Sequence, residues 1–154
     1  MSLYEKESYS QSKVVFLAGP IEWWWGERFY SLEAVHYRAH REYVSQRLVE
    51  AGYLVYRPWD AFKGSWNERM QDVNDFVLLK SDIVIDMTPP GVKAIGTAHE
   101  VGTALTNIIP VRGFPPMPND DVFQAQMGYL LKELPDIIDR WEFRRARMDP
   151  LTTY

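Results

Sequence analysis

The strongest constraint in this sequence is the alternation of short, continuous apolar runs with longer stretches of helical period. Val14-Val15-Phe16-Leu17-Ala18 is apolar throughout and stops at Gly19-Pro20, the pattern of a strand buried on both faces that ends in a turn. Residues 32–51 then carry helical spacing, with Val35, Ala39, Val44, Leu48 and Ala51 expected inward and Gly52 as the stop. Residues 53–56 predict a second strand ending at Arg57-Pro58. Residues 67–80 predict a helix with Met70, Val73, Val77 and Leu78 inward. A third strand is expected over 83–87, running into Thr88-Pro89-Pro90-Gly91. A short helix follows over 97–106, then a fourth strand over 108–111 and a Pro-rich loop over 113–119. Two last helices are expected, over 121–134 and 136–147, because Pro135 lacks the amide that a helix interior needs.

Strands alternating with helices imply a parallel sheet covered on both faces. Right-handed crossovers then give an α/β, doubly wound, flavodoxin-like parallel sheet with helices on both faces. Ligands of such sheets sit beyond the carboxyl ends of the strands. Three loops fall there: residues 19–26, 86–100 and 112–119.

With 154 residues the chain suits one domain. We expect a polar lead-in over residues 1–13 and a single α/β domain over residues 14–154. The net charge of −4 argues against nucleic acid or an anionic membrane as the main partner. There is no cysteine, which excludes disulfides and thiol catalysis. No apolar run is long enough to span a bilayer, and residues 1–13 lack an apolar signal core. A cytoplasmic protein is the simplest expectation. Arg140, Arg144, Arg145 and Arg147 are interleaved with acids and read as a solvated or subunit-contact face.

The segment with the clearest chemistry is Gly96-Thr97-Ala98-His99-Glu100. A strand ending near Asp86, a Pro/Gly loop and a helix start bring backbone N–H groups to a crevice. Thr97, Glu100 and Ala104 share one helical face, with Val101, Leu105 and Ile108 expected toward the sheet, so Glu100 can look into that crevice. Two readings stay open for Glu100. It can be a reacting carboxylate held ionised by the helix dipole, or the far end of a Thr97-x-x-Glu100 capping box. Gly96 allows close backbone approach by a ligand, and Gly102 close helix–sheet packing; a cap needs neither. His99 is expected to be a surface residue. Asp82 is expected to be structural, whereas Asp86, of the same strand parity at the carboxyl end, can reach a ligand or cap its own loop.

Three blocks resemble the nucleoside 2-deoxyribosyltransferase family. Residues 14–21, VVFLAGPI, resemble its first strand and loop. Asn74-Asp75 followed by Leu79-Lys80-Ser81-Asp82-Ile83-Val84 resembles its central helix and strand. Residues 96–104, GTAHEVGTA, are similar to its G-T-x-x-E-x-G-x-A signature. The blocks occur in family order across residues 14–104. The resemblance implies a retaining glycosyl transfer at the N-glycosidic bond of 2-deoxynucleosides, with Glu100 attacking the anomeric carbon and Asp75 assisting the departing base. Asp75 is otherwise a solvated helix charge. The resemblance also implies no cofactor, and a homo-oligomer whose subunits share active sites.

The Gly19 loop would position the ligand. Pro20, Glu22 and Trp24 lie in it, and a tryptophan face can stack on a nucleobase. The tryptophans at 23–25 also suit core or subunit packing. Gly96, Thr97 and Asp86 complete the expected binding set. The related nucleotide N-hydrolases hold the 5′-phosphate with a Ser- and Arg-bearing loop here, whereas this loop is acidic and aromatic with Arg28 at its far end, so the resemblance implies a nucleoside rather than a 5′-phosphorylated nucleotide. Arg28 or Arg112 can still reach a phosphate. A nucleoside or nucleotide hydrolase with water as acceptor remains open. So does a non-catalytic nucleotide sensor. A cytokinin-type phosphoribohydrolase shares G-T-x-x-E, but its longer Pro-Gly-Gly run is missing. His36 and His40 are spaced i, i+4, as a metal-binding pair can be. No acid completes an H-E-x-x-H pattern, and no metal is expected.

Overall fold

The computed structural model describes residues 12–20, 30–58 and 68–148. Glu22 and Trp24, with their neighbours over 21–29, lie outside the described residues, as do residues 1–11. The elements run β1 (Val14–Ala18), α1 (Leu32–Glu50), β2 (Leu54–Tyr56), α2 (Glu68–Leu79), β3 (Ile83–Asp86), α3 (Ile95–Thr106), β4 (Val111–Gly113) and α4 (Asp120–Met148). The four strands are parallel in the order β2-β1-β3-β4. This is the expected doubly wound, flavodoxin-like arrangement. Among the described residues no helix is long and apolar enough to cross a membrane.

Strand alternation divides the core in two. Val15, Leu17, Ile83 and Ile85 face α1 and α4, packing on Tyr37, Val44, Leu48, Met127, Leu130 and Leu134. Phe16, Ala18 and Val84 face the other way, against Leu78 of α2 and Ala104 of α3. Asp86 has the parity of Val84, so it projects on the α2/α3 side.

Several expectations are corrected. In α1 the buried stripe is Ala34, Tyr37, His40/Arg41, Val44/Ser45 and Leu48; Val35, Ala39 and Ala51 are exposed. The apolar Val35 and Ala39 fall off the stripe because the polar His40 and Arg41 take its buried positions. In α2 the residue facing the sheet is Asn74, beside Leu78, whereas Val73 is exposed. Strand β2 starts at Leu54, because the Tyr53 amide bonds back to the Leu48 carbonyl and closes α1. Strand β4 starts at Val111. Ile108 adopts φ 57° and its amide bonds to Leu105, so residues 107–108 end α3. A left-handed isoleucine is uncommon, and here it turns the chain out of the helix.

The C-terminal segment is one helix. Phe123, Met127, Leu130, Leu134 and Ile138 form a single buried stripe that passes Pro135 without a break. Pro135 itself is exposed. Its missing hydrogen bond therefore falls on the wet side, where water can serve the orphaned carbonyl, while burial on the opposite side holds the helix together.

Candidate active site

The strand order reverses between β1 and β3, and the crevice of a doubly wound sheet opens at that point. Ala18 pairs with Asp86 at its lip. Gly19 and Pro20 leave one strand there, and Thr88 leaves the other.

Gly19 is required by what lies against it. A Cβ on residue 19 would stand 1.8 Å from Tyr37 Oη and 3.1 Å from Arg41 Nη1. The missing side chain lets these two α1 residues cross the end of β1. Arg41 is fully buried. Its Nη1 donates to Tyr37 Oη at 2.6 Å and its Nη2 to the Leu17 carbonyl at 3.1 Å. Burial brings the Arg41 guanidinium down to about 10, with Tyr37 and Glu100 opposing that fall. Burial also pushes the Tyr37 phenol well above its ordinary value.

Glu100 comes from the other face and is 2 % exposed. Thr97, Glu100 and Ala104 form the buried face of α3, and Leu105 is exposed, so the expected sheet-facing set was rotated. Gly102 lies on the exposed side, where a Cβ would meet nothing; it does not serve helix–sheet packing. Gly96 is exposed and also open. The capping box is absent. Helix α3 is capped at Ala94 without a side-chain bond, so Thr97 stands inside the helix and Glu100 in its second turn.

The carboxyl group of Glu100 is raised to about 8. Burial is the main cause, Arg41 opposes it, and the charges of Asp75 and Asp86 add to it. The expectation of a carboxylate held ionised by the helix start is therefore overturned. Burial outweighs a dipole that acts mainly within the first turn.

The charges of Asp75 and Asp86 both bear on Glu100. Asp75 accepts from Gln71 Nε2 at 2.9 Å and lies 3.2 Å from His99 Nε2. His99 is exposed, as expected, and bridges α3 to Asp75 of α2. Asp86 Oδ1 accepts the Thr88 amide at 2.9 Å, which gives it the loop-capping role. It also lines a cavity of about 390 Å³ with Thr88, Lys93, Thr97 and Val101. Glu100 is not in that wall. Asp82 is structural, as expected: its Oδ2 accepts the Val14 amide at 2.7 Å at the opposite end of the sheet.

Two buried polar atoms near the crevice lack partners among the described residues. They are Thr88 Oγ1 and Asn74 Nδ2. Asn74 Oδ1 accepts from Tyr56 Oη at 2.7 Å, and the Tyr56 phenol is raised by burial and by the Glu100 charge. Groups left this way in a native site are ones that a ligand or water can satisfy. Arg41 and Tyr56 were not singled out from sequence, and Asn74 entered only as part of the block that resembles the family's central helix. The available signal was the i, i+4 spacing of Tyr37 and Arg41 in phase with Val44 and Leu48.

Fold and site together define a doubly wound α/β protein with a buried carboxyl group at its switch point. No family model matches the sequence, and neither a curated protein nor a solved structure matches it.

Proposed function

We propose that the protein transfers 2-deoxyribose between nucleobases, in the manner of the nucleoside 2-deoxyribosyltransferases it resembles. The observation that carries this reading is Glu100, a buried carboxyl group beside Asp75, Asp86 and Arg41 at the sheet's switch point. A Glu100 oxygen attacks the anomeric carbon as the N-glycosidic bond breaks, and the bonding electrons leave with the base. Asp75, steadied by His99, hydrogen-bonds or protonates that base. A second base then takes the sugar from Glu100 with net retention. An oxocarbenium-like transition state favours ionised Glu100, so its charge is stabilised most when the reaction needs it. Thr88, whose Oγ1 has no partner among the described residues, lines the cavity that would take the sugar or base. The same reading takes the protein as a cytoplasmic homo-oligomer whose subunits share active sites.

The test is chromatography of a deoxynucleoside incubated with protein and a different free base. A new deoxynucleoside supports transfer. Free base and free sugar without exchange point to a hydrolase. Intact substrates throughout, 5′-monophosphates and ribonucleosides included, overturn the catalytic reading in favour of a nucleotide-binding protein.

Two further outcomes are expected. Because Glu100 must ionise to attack, kcat/KM rises about tenfold per pH unit up to about pH 8 and then levels. A profile that falls through this range would instead make Glu100 a proton donor. Asp75→Asn lowers kcat by about 10²-fold or more, and most for poor leaving bases. Equal losses for all bases would mean that Asp75 acts only on structure.

A further inference from the structure

A second cluster lies on the opposite face of the sheet, between α1 and the start of α4. His36 and His40 stand one turn apart on α1, and Asp120 opens α4. One ligand atom from each lies within 4.8 Å of the other two. His40 Nε2 is 3.0 Å from Asp120 Oδ1, and the two imidazole centroids are 4.0 Å apart. The sequence supplied the helical pair but not the acid, which is 80 residues away from His40.

We propose that His36, His40 and Asp120 bind a divalent first-row ion, with zinc the best fit. This stands independently of the glycosyl-transfer reading. Two imidazoles and one carboxylate form a donor set suited to zinc, and bond lengths of about 2.0–2.2 Å fit a set this tight after small side-chain shifts. His36 carries the hydrogen-bond support usual for a metal ligand, and His40 is held by packing. His40 is nearly buried and stacks on Phe123, with centroids 4.0 Å apart, and this fixes its ring plane. His36 Nε2 lies 3.0 Å from the Met117 carbonyl, and donation there leaves the lone pair on Nδ1. In the ion-free protein Asp120 accepts from His40 Nε2, and Nδ1 of His40, which has no hydrogen-bond partner among the described residues, can carry the ring proton when Nε2 takes the ion. A cavity of about 220 Å³ adjoins all three groups and has room for a water on the fourth position. The ion would tie α4 to α1 one residue away from Tyr37.

The test is calorimetric titration of the chelator-treated full chain with zinc, with thermal unfolding in parallel. The expected result is one ion per chain at micromolar Kd or tighter and a Tm raised by several degrees in excess zinc. Cobalt in place of zinc should give the visible bands of a low-coordinate nitrogen–oxygen site. His36→Gln and Asp120→Asn should each weaken binding about tenfold or more; neither removes the buried His40 ring, so both variants should fold. No binding by the wild type overturns the proposal. So does zinc affinity unchanged in both variants, which would place the ion elsewhere.

Discussion

Glu100→Gln is expected to abolish turnover and, at alkaline pH, to make the protein more stable. The activity loss follows from removing the nucleophile, and should reach about 10³-fold or more. The stability gain follows from linkage. Glu100 ionises near its ordinary 4.5 in the unfolded chain but near 8 in the folded one. Its burial is therefore harmless below about pH 4.5, where both states are protonated. As pH rises through this window the unfolded chain gives up its proton first, and folding becomes progressively less favourable. Above about pH 8 the wild type carries the whole cost of a buried charge, on the order of 5 kcal/mol. Glutamine keeps the shape and never ionises. Tm should then be raised by roughly 10 °C at pH 9 and barely changed at pH 4.5. Equal Tm values for variant and wild type at pH 9 would mean that Glu100 is not buried as described. A gain of this kind in exchange for activity is the signature of a functional, not structural, carboxyl. A helix cap would behave in the opposite way, losing about 1 kcal/mol on substitution.

Gly19→Ala should be the most disruptive single-methyl change in the crevice. The new carbon would overlap Tyr37 Oη at 1.8 Å, and both Tyr37 and Arg41 are buried and hydrogen-bonded to one another. Neither can retreat without leaving a charge less well paired, so the cost should be about 3 kcal/mol. The second substitution tests the cause. Tyr37→Phe removes the overlapping hydroxyl, and alone should cost about 1 kcal/mol for the lost hydrogen bond. In Gly19→Ala/Tyr37→Phe the losses should fall short of their sum by at least about 1 kcal/mol. Strict additivity in denaturant unfolding would show that the tight contact is not what Gly19 serves. Displacing Arg41 should also weaken its hold on the Glu100 charge and move the pH–rate profile of Gly19→Ala upward.

Much of this was legible from the sequence. Continuous apolar runs such as residues 14–18 read as two-faced strands because both faces are in fact covered. Glu100, Asp75 and Asp86 were found from local pattern and resemblance, and the fold brings them together. What failed was register and polarity. The start of α3 lies two residues earlier than Thr97, which moves Glu100 into the second turn and removes the cap. Arg41 was invisible because a charged residue on an otherwise buried stripe reads as surface; only Gly19, just past the end of β1, explains how it fits. His99 and Asp75 meet because α2 and α3 lie side by side, a relation that no spacing along the chain reveals. Pro135 was over-weighted because its backbone cost was considered without the buried stripe that spans it.

The most direct measurement is to quench a reaction with a deoxynucleoside during turnover, digest the protein and locate bound sugar by mass spectrometry. A 2-deoxyribosyl group on the peptide carrying Glu100, absent from Glu100→Gln, is the expected result. Release of base with the sugar on another residue, or on none, contradicts a nucleophilic Glu100.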